Sequence, residues 1–270
     1  MELLSTLTPA ETLLIQRQDD AGLRDILKFT FMDLLLKRVL RITYAKSKAH
    51  PRERERTNMY IVAGKNLESY KAMPHEMVFL APYIKSKTIR ILFKHLVTIG
   101  VQNAGDRLKF INKHLLTSPG LEGHFKRGLP HFFLGRLRLT ASGTKAKQQI
   151  DGAMNQLEKE LPNLIHNDKR KALELLLTIK GNIFLIPNID FDLLKQIDRH
   201  LMEEFEQQQK GFDSGCSGCG YWYDFDSGSF DSSYDSGHGS GCGGDSGCSG
   251  DSGCSGCSGC GGCSGCGGCS

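Results

Sequence analysis

The first 210 residues contain no cysteine, and the last 60 contain no lysine, arginine or glutamate. The first absence means that the body is built on no disulfide, which fits a reducing, cytoplasmic setting. The second leaves the tail unable to pair its own acids with basic side chains. No run of about 18 apolar residues occurs, so no transmembrane helix is expected. The opening Met1-Glu2-Leu3-Leu4 has no basic region ahead of a long apolar one, so no secretory signal is expected. Enzyme signatures are missing too. There is no G-x-x-x-x-G-K-[ST], since Gly143-Thr144-Lys145 lacks the glycine-rich approach. There is no G-x-S-x-G and no Rossmann glycine pattern after a strand. His75-Glu76 has Phe79, not a second histidine, four residues after the first. The expectation is a protein without catalytic activity.

What is present divides into two polymers. Residues 211–270 hold 20 Gly, 15 Ser, 10 Cys and 7 Asp, so 52 of 60 positions are four residue types. Such a composition cannot bury enough apolar surface to fold alone, and disorder is expected. All 34 Lys and Arg lie upstream with 23 of the 30 acids, giving that part a net +11 against +4 for the whole chain. A body this basic suits an anionic partner: nucleic acid, an anionic membrane face or its own acidic tail. The alternative is a soluble domain with a lopsided surface.

The body reads as mostly helical. Thr8-Pro9-Ala10-Glu11 is a capping box with proline in the first turn and starts a helix to about Gln18. Leu23, Ile26, Leu27, Phe31, Leu34 and Leu35 share one face of a helix from Leu23 to Arg38. Alternation then predicts a strand at Val39–Tyr44, a charged loop runs from Lys46 to Arg56, and Asn58–Ala63 reads as a second strand stopped at Gly64. Two helices and a hairpin with a basic loop outline a winged-helix module. A degenerate second round follows. It comprises a short apolar helix over Pro74–Tyr83, an amphipathic one over Ser86–Ile99, another at about Asn103–Leu116, a loop over Ser118–Pro130 and a strand at Phe132–Leu139. The Ser86–Ile99 helix has Ile89, Leu92, Phe93, Leu96 and Val97 as its apolar face. Helices are then expected at Ala141–Leu161, ending at Pro162, at Asp168–Lys180 and at Asp190–Gln209. The fold expected is mainly α with small β-hairpins. Two winged-helix-like modules (1–70 and 71–140) and C-terminal helices (141–210) precede a disordered tail (211–270).

Leu7-Thr8-Pro9-Ala10-Glu11, then Asp33-Leu34-Leu35-Leu36-Lys37-Arg38 and Val39-Leu40-Arg41-Ile42, resemble the cytosolic part of a bacterial family of predicted membrane proteins of unknown function. The resemblance spans about residues 5–165 and implies tandem winged-helix modules. Pro74-His75-Glu76 and Leu139-Thr140-Ala141-Ser142-Gly143 fall where that family has its second module and closing helix. Such proteins often end in a glycine-rich tail, sometimes with cysteines. The family's membrane spans and extracytoplasmic domain have no counterpart here, so a membrane role is not carried over. The opening residues and Asp19-Asp20 are more weakly similar to Golgi-phosphoprotein-like lipid-binding domains.

Three sets of residues suggest chemistry. Cys216 and Cys219 form a C-x-x-C pair; Cys242 and Cys248 follow, and then Cys254, Cys257, Cys260, Cys263, Cys266 and Cys269 recur at every third position. Glycine between thiolates allows two to wrap one tetrahedral ion, so Zn²⁺ or Cu(I) is the candidate metal. The same spacing also arises from slippage of a Gly-Ser-Cys repeat, so incidental thiols are the alternative. The second set is basic. Lys48, Arg52, Arg54 and Arg56 sit in the hairpin loop, and Lys87, Arg90 and Lys94 form one stripe of the expected Ser86–Ile99 helix. These suit phosphates or an acidic partner, although Glu53 and Glu55 dilute the loop's field. The third set is Tyr221, Trp222, Tyr223, Phe225, Phe230 and Tyr234, interleaved with Asp224, Asp226 and Asp231. It either docks on the basic body or a partner, or stays an unstructured linker. The function expected is a non-catalytic interaction or scaffold protein. Nucleic-acid binding by the body and thiol-based metal binding by the tail are the alternatives.

Overall fold

The computed structural model describes residues 2–48, 55–126, 136–186, 219–220 and 227–238. They are mainly helical, with one small antiparallel sheet. The chain separates into Met1–Ser240 and Gly241–Ser270. All of the second unit, and the expected helix at Asp190–Gln209, lie outside the described residues.

Helix α1 spans Glu2–Thr6 and α2 spans Pro9–Arg17. The capping box at the start of α2 is complete: the Thr8 side chain accepts from the Glu11 amide, and the Glu11 carboxylate accepts from the Thr8 amide at 2.7 Å. Helix α2 is central and buried all the way from Pro9 to Ile15. This placement forces Glu11 and Thr12 inside along with Leu13, Leu14 and Ile15. A 3₁₀ turn, Gln18–Asp20, leads to α3, Leu23–Leu36. Arg107 closes the end of α2 by donating to the carbonyls of Gln18, Asp19 and Ala21. A cation there also complements the negative end of the helix.

Strands β1 (Leu40–Ser47) and β2 (Arg56–Ala63) form an antiparallel hairpin with Leu40 opposite Ala63 and Ile42 opposite Ile61. The alternation seen in the sequence places Leu40, Ile42 and Ile61 inward. Gly64 passes directly over the carbonyl of Arg38, where a Cβ would overlap that oxygen. This close approach fixes the turn out of the sheet. Helix α4 is Met77–Lys85. Strand β3, Ile91–Leu92, pairs with β2, and α5 follows as Phe93–Ala104. The expected helix over Ser86–Ile99 therefore begins seven residues late. Ile91 is drawn into the sheet opposite Ile61, and Ile89 is exposed instead of lying on an apolar face.

Helix α6, Arg107–Phe110, continues into a π-helical turn at Ile111–Leu115. The strand expected at Phe132–Leu139 lies partly outside the described residues. Within 136–139 only an isolated bridge, Leu139 to Phe125, is found. Helix α7, Ala141–Asn167, runs through Pro162 rather than ending there. Pro162 supplies no amide hydrogen and costs about 3 kcal/mol in a helix interior. Leu157, Leu161 and Ile165, however, lie on one buried stripe across it, each contributing roughly 1.5–3 kcal/mol. Burial on both sides outweighs the break. Helix α8 is Lys169–Ile179, and a 3₁₀ turn, Lys180–Leu185, packs against α2 and α3.

Two pieces of the 211–270 region depart from the expected disorder. Strand β4, Cys219–Gly220, pairs antiparallel with β1 at Ile42 and Thr43, giving the sheet order β3-β2-β1-β4. Helix α9, Ser227–His238, packs against α3 and α5. One buried apolar cluster runs from Leu4 to Tyr234 and draws on every helix named above and on β1, β2 and β3.

Candidate functional site

Two constellations bring chemically distinctive side chains together. The first is a groove between α3, α4 and α5. Each helix contributes one phenylalanine to its floor. Phe31 of α3 lies edge-on to Phe79 of α4 at 5.5 Å and tilted against Phe93 of α5 at 5.6 Å. Phe230 of α9 enters this nest, 5.9 Å from Phe31 and 6.4 Å from both Phe79 and Phe93, and is fully buried. Offset and edge contacts of this kind add about 0.5–1.5 kcal/mol per pair beyond burial. One turn later, Tyr234 covers the groove's end, 7% exposed.

The groove's rim is basic where α9 is acidic. Lys28 Nζ lies 2.7 Å from Asp231 Oδ2, and Arg24 pairs with Asp235. The Arg24 guanidinium also lies over the Tyr234 ring at 5.1 Å. Burial pushes the Tyr234 hydroxyl up from its ordinary value. The pairing is periodic. Arg24 and Lys28 are four apart on α3, Asp231 and Asp235 are four apart on α9, and so are Phe230 and Tyr234. Side chains four apart share a helix face, so two helices meet through matched rows. Sequence reading named Phe230, Tyr234 and Asp231 but missed Arg24, Lys28 and Asp235. The equal four-residue spacing of two cations and two anions was the signal that points to them.

The second constellation is a buried polar cluster at the N-terminal ends of α2 and α4. Lys37 Nζ lies 2.5 Å from Asp33 Oδ2, 3.5 Å from Glu76 Oε1 and 3.0 Å from the Tyr70 hydroxyl. Tyr70 donates to Glu76 at 2.6 Å, and the Met73 amide donates to the other Glu76 oxygen at 2.7 Å. Across α2, Ser118 donates to Glu11 at 2.5 Å, and Thr8 Oγ1 lies 3.4 Å from His75 Nε2. Asn182 donates to the carbonyls of Leu4 and Leu7. Asp33, Glu11, His75, Glu76, Ser118 and Asn182 are all buried.

Burial pushes the Asp33 carboxyl up to about 6 even with Lys37 beside it. Burial also pulls down the Lys37 ammonium, but Asp33 and Glu76 outweigh it and the net shift is upward. Burial lowers His75 to about 4 against the pull of Glu11. The network ties the entry to α2, the end of α3, the 64–76 connection and the Lys180–Leu185 turn into one point. Asp33 Oδ1, His75 Nδ1 and Asn182 Oδ1 are buried without a hydrogen-bond partner among the described residues, while the hydrogen bonds and ion pairs among the other polar atoms hold these segments together as a structural clamp.

The basic residues expected to form a contact surface are dispersed. Only Lys94 lies on α5; Lys87 and Arg90 precede it in the connection from α4, so the expected helical stripe does not form. Lys87 pairs with Glu68 at 2.7 Å, and Arg90 lies over the Tyr60 ring at 4.9 Å. Lys48 pairs with Glu55 at 3.5 Å, and Arg56 begins β2. Arg52 and Arg54 lie outside the described residues, as do all candidate thiol ligands except Cys219. The backbone of Cys219 belongs to β4. Among the described residues no group of three or more His, Cys, Asp or Glu is placed to hold a metal, and no helix is long and apolar enough to cross a membrane.

The groove and its helix define a mainly helical body that seats a short acidic, aromatic helix. No family model matches the chain, and no curated protein or solved structure matches it at a significant level.

Proposed function

We propose that this protein is a non-catalytic interaction scaffold whose helix–helix–hairpin part is a winged-helix-like module, and that the α3/α4/α5 groove is its recognition surface. The observation that carries this reading is the seating of α9: an aromatic anchor in an apolar pocket, rimmed by two cation–anion pairs. That is the helix-in-groove mode of peptide recognition. The anatomy also matches an interface hot spot, a desolvated aromatic encircled by polar pairs. The DNA reading draws less support, because several basic side chains are already tied to acids or rings and form no single stripe.

The test asks whether α9 is a ligand or a part of the core. In the full chain, Phe230→Ala with Tyr234→Ala removes the anchors. A recognition groove releases α9 as a unit: its amides exchange as an unstructured segment while α2 and α3 keep their protection. A peptide of residues 227–238 added to that variant then shifts the NMR signals of Arg24, Lys28 and Phe93. Cooperative loss of protection throughout the body would show that α9 is integral core, and the scaffold reading of this groove fails.

A further inference from the structure

We propose that α9 is a weak internal stand-in, and that the groove's stronger occupant is a helix of another protein with aromatics at i and i+4 and carboxylates at i+1 and i+5. This rests on the reading of the groove as a recognition surface and goes on to specify its partner.

The composition of α9 carries the argument. Ser227–His238 contains five serines, two glycines and two aspartates, and no alanine, leucine, glutamate, lysine or arginine. Those missing types are the strong helix formers. Serine and aspartate compete for the backbone's own hydrogen bonds, and glycine loses the most freedom on ordering. Even alanine-rich helices of about 12 residues are marginal in water. Helix α9 is therefore a helix because the groove holds it.

The contacts, by contrast, are well matched. Phe230 is fully buried, and both carboxylates at spacing i and i+4 meet cations. Good contacts on a poor helix describe a segment that fits the groove but binds it weakly. Exchanging four serines and Gly228 for strong helix formers, with the contact residues kept, strengthens binding by roughly 10²-fold.

The intact chain offers α9 to the groove at an effective concentration on the order of millimolar. A better helix carrying the same contacts therefore displaces half of it at roughly 10 µM. A second copy of this chain has no such advantage: its α9 is the same poor helix and arrives at a lower concentration. A partner protein is thus favoured over self-exchange. The sign of its charge follows from Arg24 and Lys28 at the rim.

The probe is a fluorescein-labelled peptide of about 14 residues carrying Phe-Asp-Ala-Ala-Tyr-Asp on an alanine and glutamate background, titrated into the full-length chain. Saturable anisotropy near 10 µM is expected, with the α9 amides losing exchange protection as the peptide binds. The Phe230→Ala/Tyr234→Ala chain should bind at least tenfold more tightly, since its groove is already vacant. A peptide with both aspartates changed to lysine should bind at least tenfold more weakly, a control that leaves the protein unaltered. No binding to the intact chain below about 1 mM, binding that leaves α9 protected, or indifference to the charge reversal would each overturn the proposal. If α9 releases as a unit in the double variant but the helical peptide fails to displace it, the stand-in idea falls and the groove reading survives. If the double variant unfolds, both fall.

Discussion

Gly100 and Gly152 both sit in helix interiors, yet opposite outcomes follow from what a Cβ would meet. At Gly100 on α5, it would overlap the ring of Phe79, which is itself wedged against Phe31 and Phe230. The ring has nowhere to go, and overpacking costs about 1–3 kcal/mol. At Gly152 on α7 nothing lies within 4 Å, so alanine gains up to about 1 kcal/mol of helix propensity. Gly100→Ala should lower the urea midpoint and Gly152→Ala should raise it; the reverse order would contradict the packing around Phe79. Asp33 and His75 make a second residue-scale pair, with opposed pH dependence. Asp33 is raised from 3.8 to about 6, so its contribution to stability is full below pH 4 and is lost as pH rises through 6. His75 is lowered from 6.5 to about 4, so its contribution is full above pH 6.5 and is lost as pH falls through 4. Each is worth on the order of 3 kcal/mol, and between pH 4 and 6 they offset each other. Asp33→Asn should therefore leave a rise of stability from pH 4 to 6.5, and His75→Gln should leave a fall over the same range. Parallel profiles for both variants and the parent would refute the assignment.

At the scale of elements, the order of α2, α3, β1 and β2 was legible because each carries one strong local signal. The capping box marks the start of α2, a three-four apolar rhythm marks α3, alternation marks β1, and a short apolar run stopped at Gly64 marks β2. The 86–92 stretch was not legible. Its apolar residues suit a helix, and only pairing of Ile91 and Leu92 with the distant β2 turns them into a strand. Pro162 misled for a related reason. Proline is a local stop signal, whereas the buried stripe of Leu157, Leu161 and Ile165 that overrides it is a tertiary fact. Because Pro162 is exposed and its helix persists, Pro162→Ala should stabilise the protein by about 1–3 kcal/mol, read as a higher melting temperature. Destabilisation would mean that the bend at Pro162 is needed for packing.

Across the whole molecule, the division between a basic body and an acidic tail was plain from composition, but its consequence was not. A stretch of serine, glycine and aspartate carries no helical signal of its own, so α9 could be found only by matching its four-residue rows to those of α3. The body's charge then acquires a local purpose at Arg24 and Lys28, which meet the only described acids of the tail that contact them, Asp235 and Asp231. The Arg24–Asp235 pair is exposed and the Lys28–Asp231 pair is half-buried; pairs at such a rim contribute about 0–1 kcal/mol each and weaken with salt. Raising ionic strength from about 0.05 to 0.5 M cuts the Debye length from roughly 14 to 4 Å. Two weakened pairs should therefore speed hydrogen exchange in α9 by up to about tenfold. Helix α2, whose protection rests on apolar burial, should be unaffected. The Asp231→Asn/Asp235→Asn chain separates the two contributions. Its α9 should exchange faster than the parent's at low salt and lose its salt dependence, because what remains, Phe230 among Phe31, Phe79 and Phe93, is apolar. Were α9 to stay salt-sensitive without its carboxylates, its attraction to the body would have to arise from groups other than these pairs, and the charge matching at the groove's rim would no longer explain why this segment folds.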